Sequence, residues 1–363
     1  MSEDHTSANG DHTSANHWSA QDTTPGAIEA ALRELIRQRH AENDSFAPAR
    51  VLNLVVVVDR EWRGEVENRL DQVGRYHPSR TIVCAVDPGR TTLDAWATMT
   101  ADVEPRPGEL AVCRERVEID VGPQHLAHLD TIVDPLVVTD LATLLWAPHG
   151  HAEAVDSLVR LAQIMLLDSV DEPEIADALA RVAELAEKAY VVDLAWLRST
   201  PWRERVAATF DPEPWRAELA RISGVTARHH PDSGAAGLLF FGWLAARLGW
   251  QPSALVASGG GMHGKARGRR QEVALKLEPD PQQMVRGLAG VSIDTASGMS
   301  IALDRAPGGL RATRRARDGS ESTWTLLGAS RGEGGILGEG VRQALLRDPT
   351  YRPALDAARA MVA

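Results

Sequence analysis

The residues best equipped for chemistry lie in the stretch GGGMHGKA at 259–266, where Gly259, Gly264 and Lys265 nearly match a phosphate-binding loop. That loop, G-x-x-x-x-G-K-[ST], needs a strand before it, a helix after it and a final hydroxyl to hold magnesium. Here Ala266 replaces the hydroxyl, and RGRRQEVALKL reads as a strand rather than a helix. The expected form is a glycine-rich surface loop beside a basic cluster of Lys265, Arg267, Arg269 and Arg270. A sugar-phosphate or nucleotide-binding enzyme using this loop is the alternative function. The histidine pairs His125/His128, His149/His151 and His229/His230 have no cysteine nearby and no H-E-x-x-H arrangement, so no metal is expected. Asp168–Ser169 ends an apolar run, where α/β proteins often place ligands, but such a pair also caps helices. No G-x-S-x-G elbow and no G-x-G-x-x-G follows the main strand. No catalytic residue and no cofactor are expected.

Tryptophan is the compositional anomaly: 10 Trp against 4 Phe and 3 Tyr. Trp196, Trp202, Trp215, Trp243 and Trp250 alternate with Arg198, Arg203, Arg205, Arg216 and Arg247 in one region. Indoles and guanidinium groups dominate binding hot spots because each buries a large area and keeps a polar handle. The predicted partner contacts are therefore Trp196, Arg198, Trp202, Arg203, Trp215 and Arg216, with Trp243 assigned to the core. His77 and Arg80, in HPSR ahead of a strand, join them as candidates.

The elements that must position these residues follow from hydrophobic patterning. RVLNLVVVVD, residues 50–59, is a β-branched run too short to span a membrane and too unbroken for a half-exposed strand. It predicts a central strand of a sheet covered on both faces. Helix and strand patterns alternate after it, which predicts an α/β layer structure with a mostly parallel sheet. The alternation over 110–121 predicts a half-exposed strand, so part of that sheet need not be parallel. From residue 172 helical spacing takes over, including LLFFGWLAARL at 238–248, apolar nearly all round and hence buried. Strand-like runs joined by TASG, APGG and RDGS then predict an antiparallel sheet, and two helices end the chain. The expected organisation is a disordered polar tail at 1–21 carrying DHTSAN twice, an α/β domain at 22–170 and an α+β domain at 171–363.

With 44% hydrophobic and 25% charged residues the chain is ordinary for a globular protein, and its net charge of -11 argues against nucleic acid or anionic lipid as partner. Cys84 and Cys113 sit in separate apolar runs, which predicts buried thiols in a reducing compartment. The polar start is no signal peptide, and no segment is apolar enough to span a bilayer. A soluble cytoplasmic protein is expected.

Six stretches together carry a resemblance: RVLNLVVVV, HPSR, TDLATLLW, LLDSV, DLAWLRSTPWRERVAATFD and LLFFGWLAARLGW. They resemble the OpcA family, the glucose-6-phosphate dehydrogenase assembly proteins, from about Thr24 to the end. Where the family continues TDLATLLW with Trp and Arg, this chain has Ala147, Pro148 and His149. The resemblance implies a non-catalytic partner that binds glucose-6-phosphate dehydrogenase and promotes its assembly or active oligomer, at the entry of the oxidative pentose phosphate pathway.

Overall fold

The computed structural model describes residues 12–14, 17–42, 46–47, 50–74, 78–101, 111–327 and 333–362. They form two compact units. The first runs to Leu167 and takes in Lys188–Val191; the second takes Asp168–Glu187 and everything from Val192.

The strand Leu52–Asp59 is the centre of the first sheet, and Leu52 to Val58 are all buried. Ser79–Val86 pairs parallel on one side and Thr143–Trp146 parallel on the other. Ile164–Leu167 extends the parallel set, and Tyr190–Asp193 follows it in the strand order. On the opposite flank Ala111–Val121 pairs parallel with Ser79–Val86 and antiparallel with Asp94–Ala101. The sheet is thus mostly parallel with an antiparallel flank. The helix Pro25–Glu42 buries Ile28, Leu32 and Leu35 along one face, with Ile36 half-buried, and packs on Asp94–Ala101.

Three points of this half differ from what the sequence predicts. Asp94–Ala101 is a strand that the reading missed, because its core face is built from Ala95, Ala97 and Met99 rather than β-branched residues. The apolar run at 132–138 begins inside helical turns, Leu129–Val133 and Asp134–Leu136. The expected tail is partly structured: His17–Ala20 pairs antiparallel with Asp94–Ala101 and buries Trp18, which supplies the apolar surface that the DHTSAN repeats lack. The remainder of the repeats lies outside the described residues, apart from the short strand His12–Ser14. Cys84 is buried, and burial pushes its thiol up to about 12, which makes it a poor nucleophile. The Cys113 side chain lies outside the described residues.

The second unit is an α+β layer. Its sheet runs Gln251–Pro252, Gly261–Arg267, Glu272–Pro279, Ile222–His229, Leu288–Thr295, Ser300–Ala306, Gly309–Arg315 and Glu321–Leu327, with Val256–Ser258 also pairing to Gly261–Arg267. All pairs are antiparallel except Ile222–His229 with Glu272–Pro279, which is parallel. That correction arises because ISGVTARH, with a central glycine, reads weakly as a strand, yet inserts between two runs that look like hairpin neighbours. Val225, Ala227, Leu275 and Leu277 face inward, and the helix Gly234–Leu248 packs on them. Gly242 lets Tyr351–Arg359 cross that helix closely, since a Cβ there would lie 2.0 Å from the Ala354 carbonyl oxygen. Among the described residues no helix is long and apolar enough to cross a membrane.

Candidate partner interface

The segment DLAWLRSTPWR folds as a pair of short helices around a buried polar node. Asp193 opens the first, Leu194–Arg198, and its Oδ1 accepts the backbone N–H of Ala195 at 2.9 Å and of Ser169 at 3.1 Å. Its Oδ2 accepts the Tyr351 hydroxyl at 2.9 Å. Ser199 closes this helix by donating to the Trp196 carbonyl at 2.7 Å. Pro201 fits the first turn of the next, Thr200–Phe210, where no intrahelical N–H is needed. Trp196 is 2% exposed. Its Nε1 donates to Asp348 at 2.8 Å, and the Arg203 guanidinium stacks 3.3 Å from its ring centroid. Burial alone would raise the Asp348 carboxyl. Hydrogen bonds from Thr350 and Trp196 and the charge of Arg203 carry it below its ordinary value instead. Burial pushes Arg203 down to about 9, so it stays charged at neutral pH.

These positions correct four of the predicted contacts. Trp196, Arg198, Trp202 and Arg203 are all buried, and a docked protein cannot touch them in this conformation. They shape the fold, because a guanidinium stacked on an indole is also a way to bury both. Trp243, assigned to the core, is instead half-buried beside Phe240. Arg80 is buried as well. Its Nε donates to Glu115 at 2.7 Å and its Nη1 to the Leu136 carbonyl at 2.9 Å, and Arg50 meets the same carboxylate. His77 lies outside the described residues.

Arg198 pairs with Asp168 at 2.6 Å, both side chains 6% exposed. Arg286 pairs with Asp171 beside them. Burial lifts the Asp168 carboxyl to about 7 despite the facing guanidinium. Between the unfolded value near 3.8 and that point, the folded chain keeps a proton that the unfolded chain has lost. Asp168 therefore contributes less stability as pH rises through this window, and Asp193, also raised by burial, acts in the same direction. The melting temperature is expected to fall between about pH 4 and about pH 7, and Asp168→Asn to flatten the slope, as read by thermal scans in matched buffers.

Trp215 and Arg216 are the predicted contacts that reach solvent: Trp215 is half-buried and Arg216 exposed. Trp215 belongs to a stack that the sequence reading did not find. The Arg314 guanidinium lies 4.2 Å from the Trp215 ring centroid and 5.9 Å from that of Trp324. Trp324 sits opposite Ala312 in the last strand of the sheet, on the face turned toward Thr200–Phe210. A cavity of about 120 Å³ between them is lined by Arg205, Thr209, Pro212, Arg314 and Trp324. Glu321–Leu327 pairs with Gly309–Arg315 on one side, and no strand lies on its other side among the described residues. A half-exposed indole–guanidinium–indole stack beside a free strand edge can bury apolar area and still offer hydrogen bonds to a protein. The signal in the sequence was Trp324 itself, one large ring in the polar strand ESTWTLL.

The other candidates resolve into structure. GGGMHGKA is a β-hairpin: Gly259 and Gly260 turn with positive φ, and residues 261–267 continue as a strand, not a helix. Lys265 points to solvent and pairs with Glu272 at 2.8 Å. The stretch is therefore a paired strand after its turn rather than the expected surface loop, and it does not fit the phosphate-loop alternative, since the backbone amides needed to cradle phosphate belong to a ladder. After Leu52–Asp59 the turn carries Arg60, Glu61 and Trp62 before Gly64, so no glycine run lets a pyrophosphate approach the backbone. His149 and His151 lie 3.6 and 3.1 Å from Asp59. Among the described residues no group of three or more His, Cys, Asp or Glu side chains is placed to hold a metal ion.

Two family models match the chain: one described as the glucose-6-phosphate dehydrogenase subunit N-terminal domain, over residues 70–184, and one as its C-terminal domain, over residues 189–355. A relative from Synechococcus elongatus, named "Putative OxPP cycle protein OpcA", is 25% identical over 210 residues, 56% of this chain and 46% of its own. One of the same name from Nostoc punctiforme is 27% identical over 187 residues, 50% of this chain and 40% of its own. The matched stretch thus spans about half the length of these relatives or less. Among solved structures, the WlbA (WbpB) dehydrogenase of Thermus thermophilus aligns with a TM-score of 0.44 at 14% identity, over 86% of this chain and 94% of that one.

Proposed function

Because the chain belongs to the OpcA family of glucose-6-phosphate dehydrogenase assembly proteins, we propose that it is a non-catalytic partner that binds that dehydrogenase and favours its active oligomer. The observation that carries this reading is the adjacent match of both family domains over residues 70–184 and 189–355. A binding partner activates an enzyme only by preferring its active state over its inactive one. Such a preference needs a surface with a few strong anchors. Trp215, Arg216, Arg314 and Trp324 supply it: large rings, fixed by stacking, with guanidinium groups that can reach a carboxylate. The protein would then act where glucose 6-phosphate reduces NADP.

The test mixes the full chain with glucose-6-phosphate dehydrogenase. Size-exclusion chromatography with light scattering should show co-elution and a larger dehydrogenase assembly. The rate at limiting substrate should rise. Separate elution together with unchanged kinetics would remove the proposal.

A further inference from the structure

At the C-terminal end of the buried helix Gly234–Leu248 the surface opens into a groove of about 580 Å³. Gly249 caps the helix in the left-handed region, and the Trp250 N–H bonds back to the Ala245 carbonyl at 2.9 Å, which directs Trp250 into the groove wall. The facing wall is the turn joining Gly261–Arg267 to Glu272–Pro279, closed by the Gly268 N–H to the Gln271 carbonyl at 3.0 Å. Gln271 ties this turn to the core by donating to the Ile222 carbonyl at 2.5 Å. A Cβ on Gly268 would lie 3.5 Å from both Cδ1 and Nε1 of Trp250, so the indole edge rests against bare backbone.

The turn presents Arg269 and Arg270, and the helix end presents Arg247. Neighbouring cations are satisfied: Lys265 by Glu272 and Arg267 by Gln251. Arg247, Arg269 and Arg270 have no hydrogen bond or ion pair among the described residues, and no carboxylate lines the groove. Three like charges gathered without a counter-charge, in a chain of net charge -11, repel one another until an anion arrives. Guanidinium forks bind phosphate through paired N–H bonds, and a half-exposed indole face such as that of Trp250 accepts a sugar or a base. The volume is in the range of small-molecule sites, roughly 300–1,000 Å³.

We infer that this groove binds a phosphorylated small molecule, its phosphate held by Arg247, Arg269 and Arg270 and its sugar or base laid on Trp250. The site shares no residue with the surface assigned to the dehydrogenase and goes beyond that reading. No bond is made or broken there.

Isothermal titration of the full chain tests it with ribose 5-phosphate and adenosine 5′-monophosphate as probes. Inorganic phosphate, ribose, adenosine and a hexaglutamate peptide are the controls. One of the two probes should bind at least about tenfold more tightly than inorganic phosphate, and its unphosphorylated counterpart should not bind. Preference for the ribose or the adenosine probe tells a sugar phosphate from a nucleotide. Arg269→Gln with Arg270→Gln should weaken binding about tenfold or more with an unchanged melting temperature, because both side chains are exposed. Trp250→Leu should weaken the probe but not inorganic phosphate. The inference is overturned if neither probe exceeds inorganic phosphate. It is also overturned if the triple Arg247, Arg269 and Arg270 glutamine variant binds as well as the parent, or if hexaglutamate binds there and the probes do not.

Discussion

Trp196→Ala is expected to lower the stability of the second unit by about 3–5 kcal/mol, the range for removing a fully buried large aromatic ring. The ring is 2% exposed, and its loss does more than open a cavity. Asp348 loses the indole N–H donor, and Arg203 loses the ring on which its charge is stacked. The Arg203 Nη1 already has no hydrogen-bond partner, and its Nη2 donates to Thr200 at 2.8 Å, so a guanidinium freed from the indole has little left to hold it. Trp215→Ala provides the contrast. That ring is half-buried, and its partner Arg314 also stacks on Trp324, so stability should change by less than about 1 kcal/mol. Binding to the dehydrogenase should weaken in Trp215→Ala while the fold persists, whereas in Trp196→Ala any loss of binding should follow loss of the fold. Thermal scans beside co-elution separate the two. Full binding by a well-folded Trp215→Ala variant would remove the stack from the interface.

Asp193→Ala should cost at least as much, roughly 3–7 kcal/mol, from three separate losses. The helix Leu194–Arg198 loses its N-terminal cap, about 1 kcal/mol. The Ser169 N–H and the Tyr351 hydroxyl each lose an acceptor in a buried place, about 1–3 kcal/mol apiece. One carboxyl thus joins the segment after Leu167, the helix pair and the last helix of the chain. Asp193→Asn keeps one acceptor oxygen and is expected to recover part of the loss. Urea titrations of the three proteins followed by tryptophan fluorescence report the order: Asp, then Asn, then Ala.

The central strand was legible because seven consecutive residues from Leu52 to Val58 are apolar apart from Asn53, a pattern suited to a strand covered on both faces. Asn53 fits there because its amide donates to the Val138 carbonyl and to Thr143, partners 85 and 90 positions away. Nothing local announces those partners. The same distance hid the fate of the tryptophans. Trp196 meets Asp348 across 152 positions and Arg198 meets Asp168 across 30, so alternating Trp and Arg could signal a surface or a core equally well. Trp215 was found by composition alone, but its stack with Arg314 and Trp324 depends on strands that pair only after folding. Ile222–His229 was missed because a strand with Gly224 and several small polar residues carries weak β-propensity.

The first unit closes with residues made late. Lys188–Val191 belongs to it, while the intervening Asp168–Glu187 belongs to the second, so the backbone crosses the boundary three times. A fragment ending at Leu167 would lack the strand Tyr190–Asp193 that follows Ile164–Leu167 in the sheet, leaving that edge bare. During synthesis the first unit cannot be completed until the whole helix Ile175–Lys188 has left the ribosome. Neither half can be excised by a single cut, and a protease nick in that helix would sever a connection on which both depend.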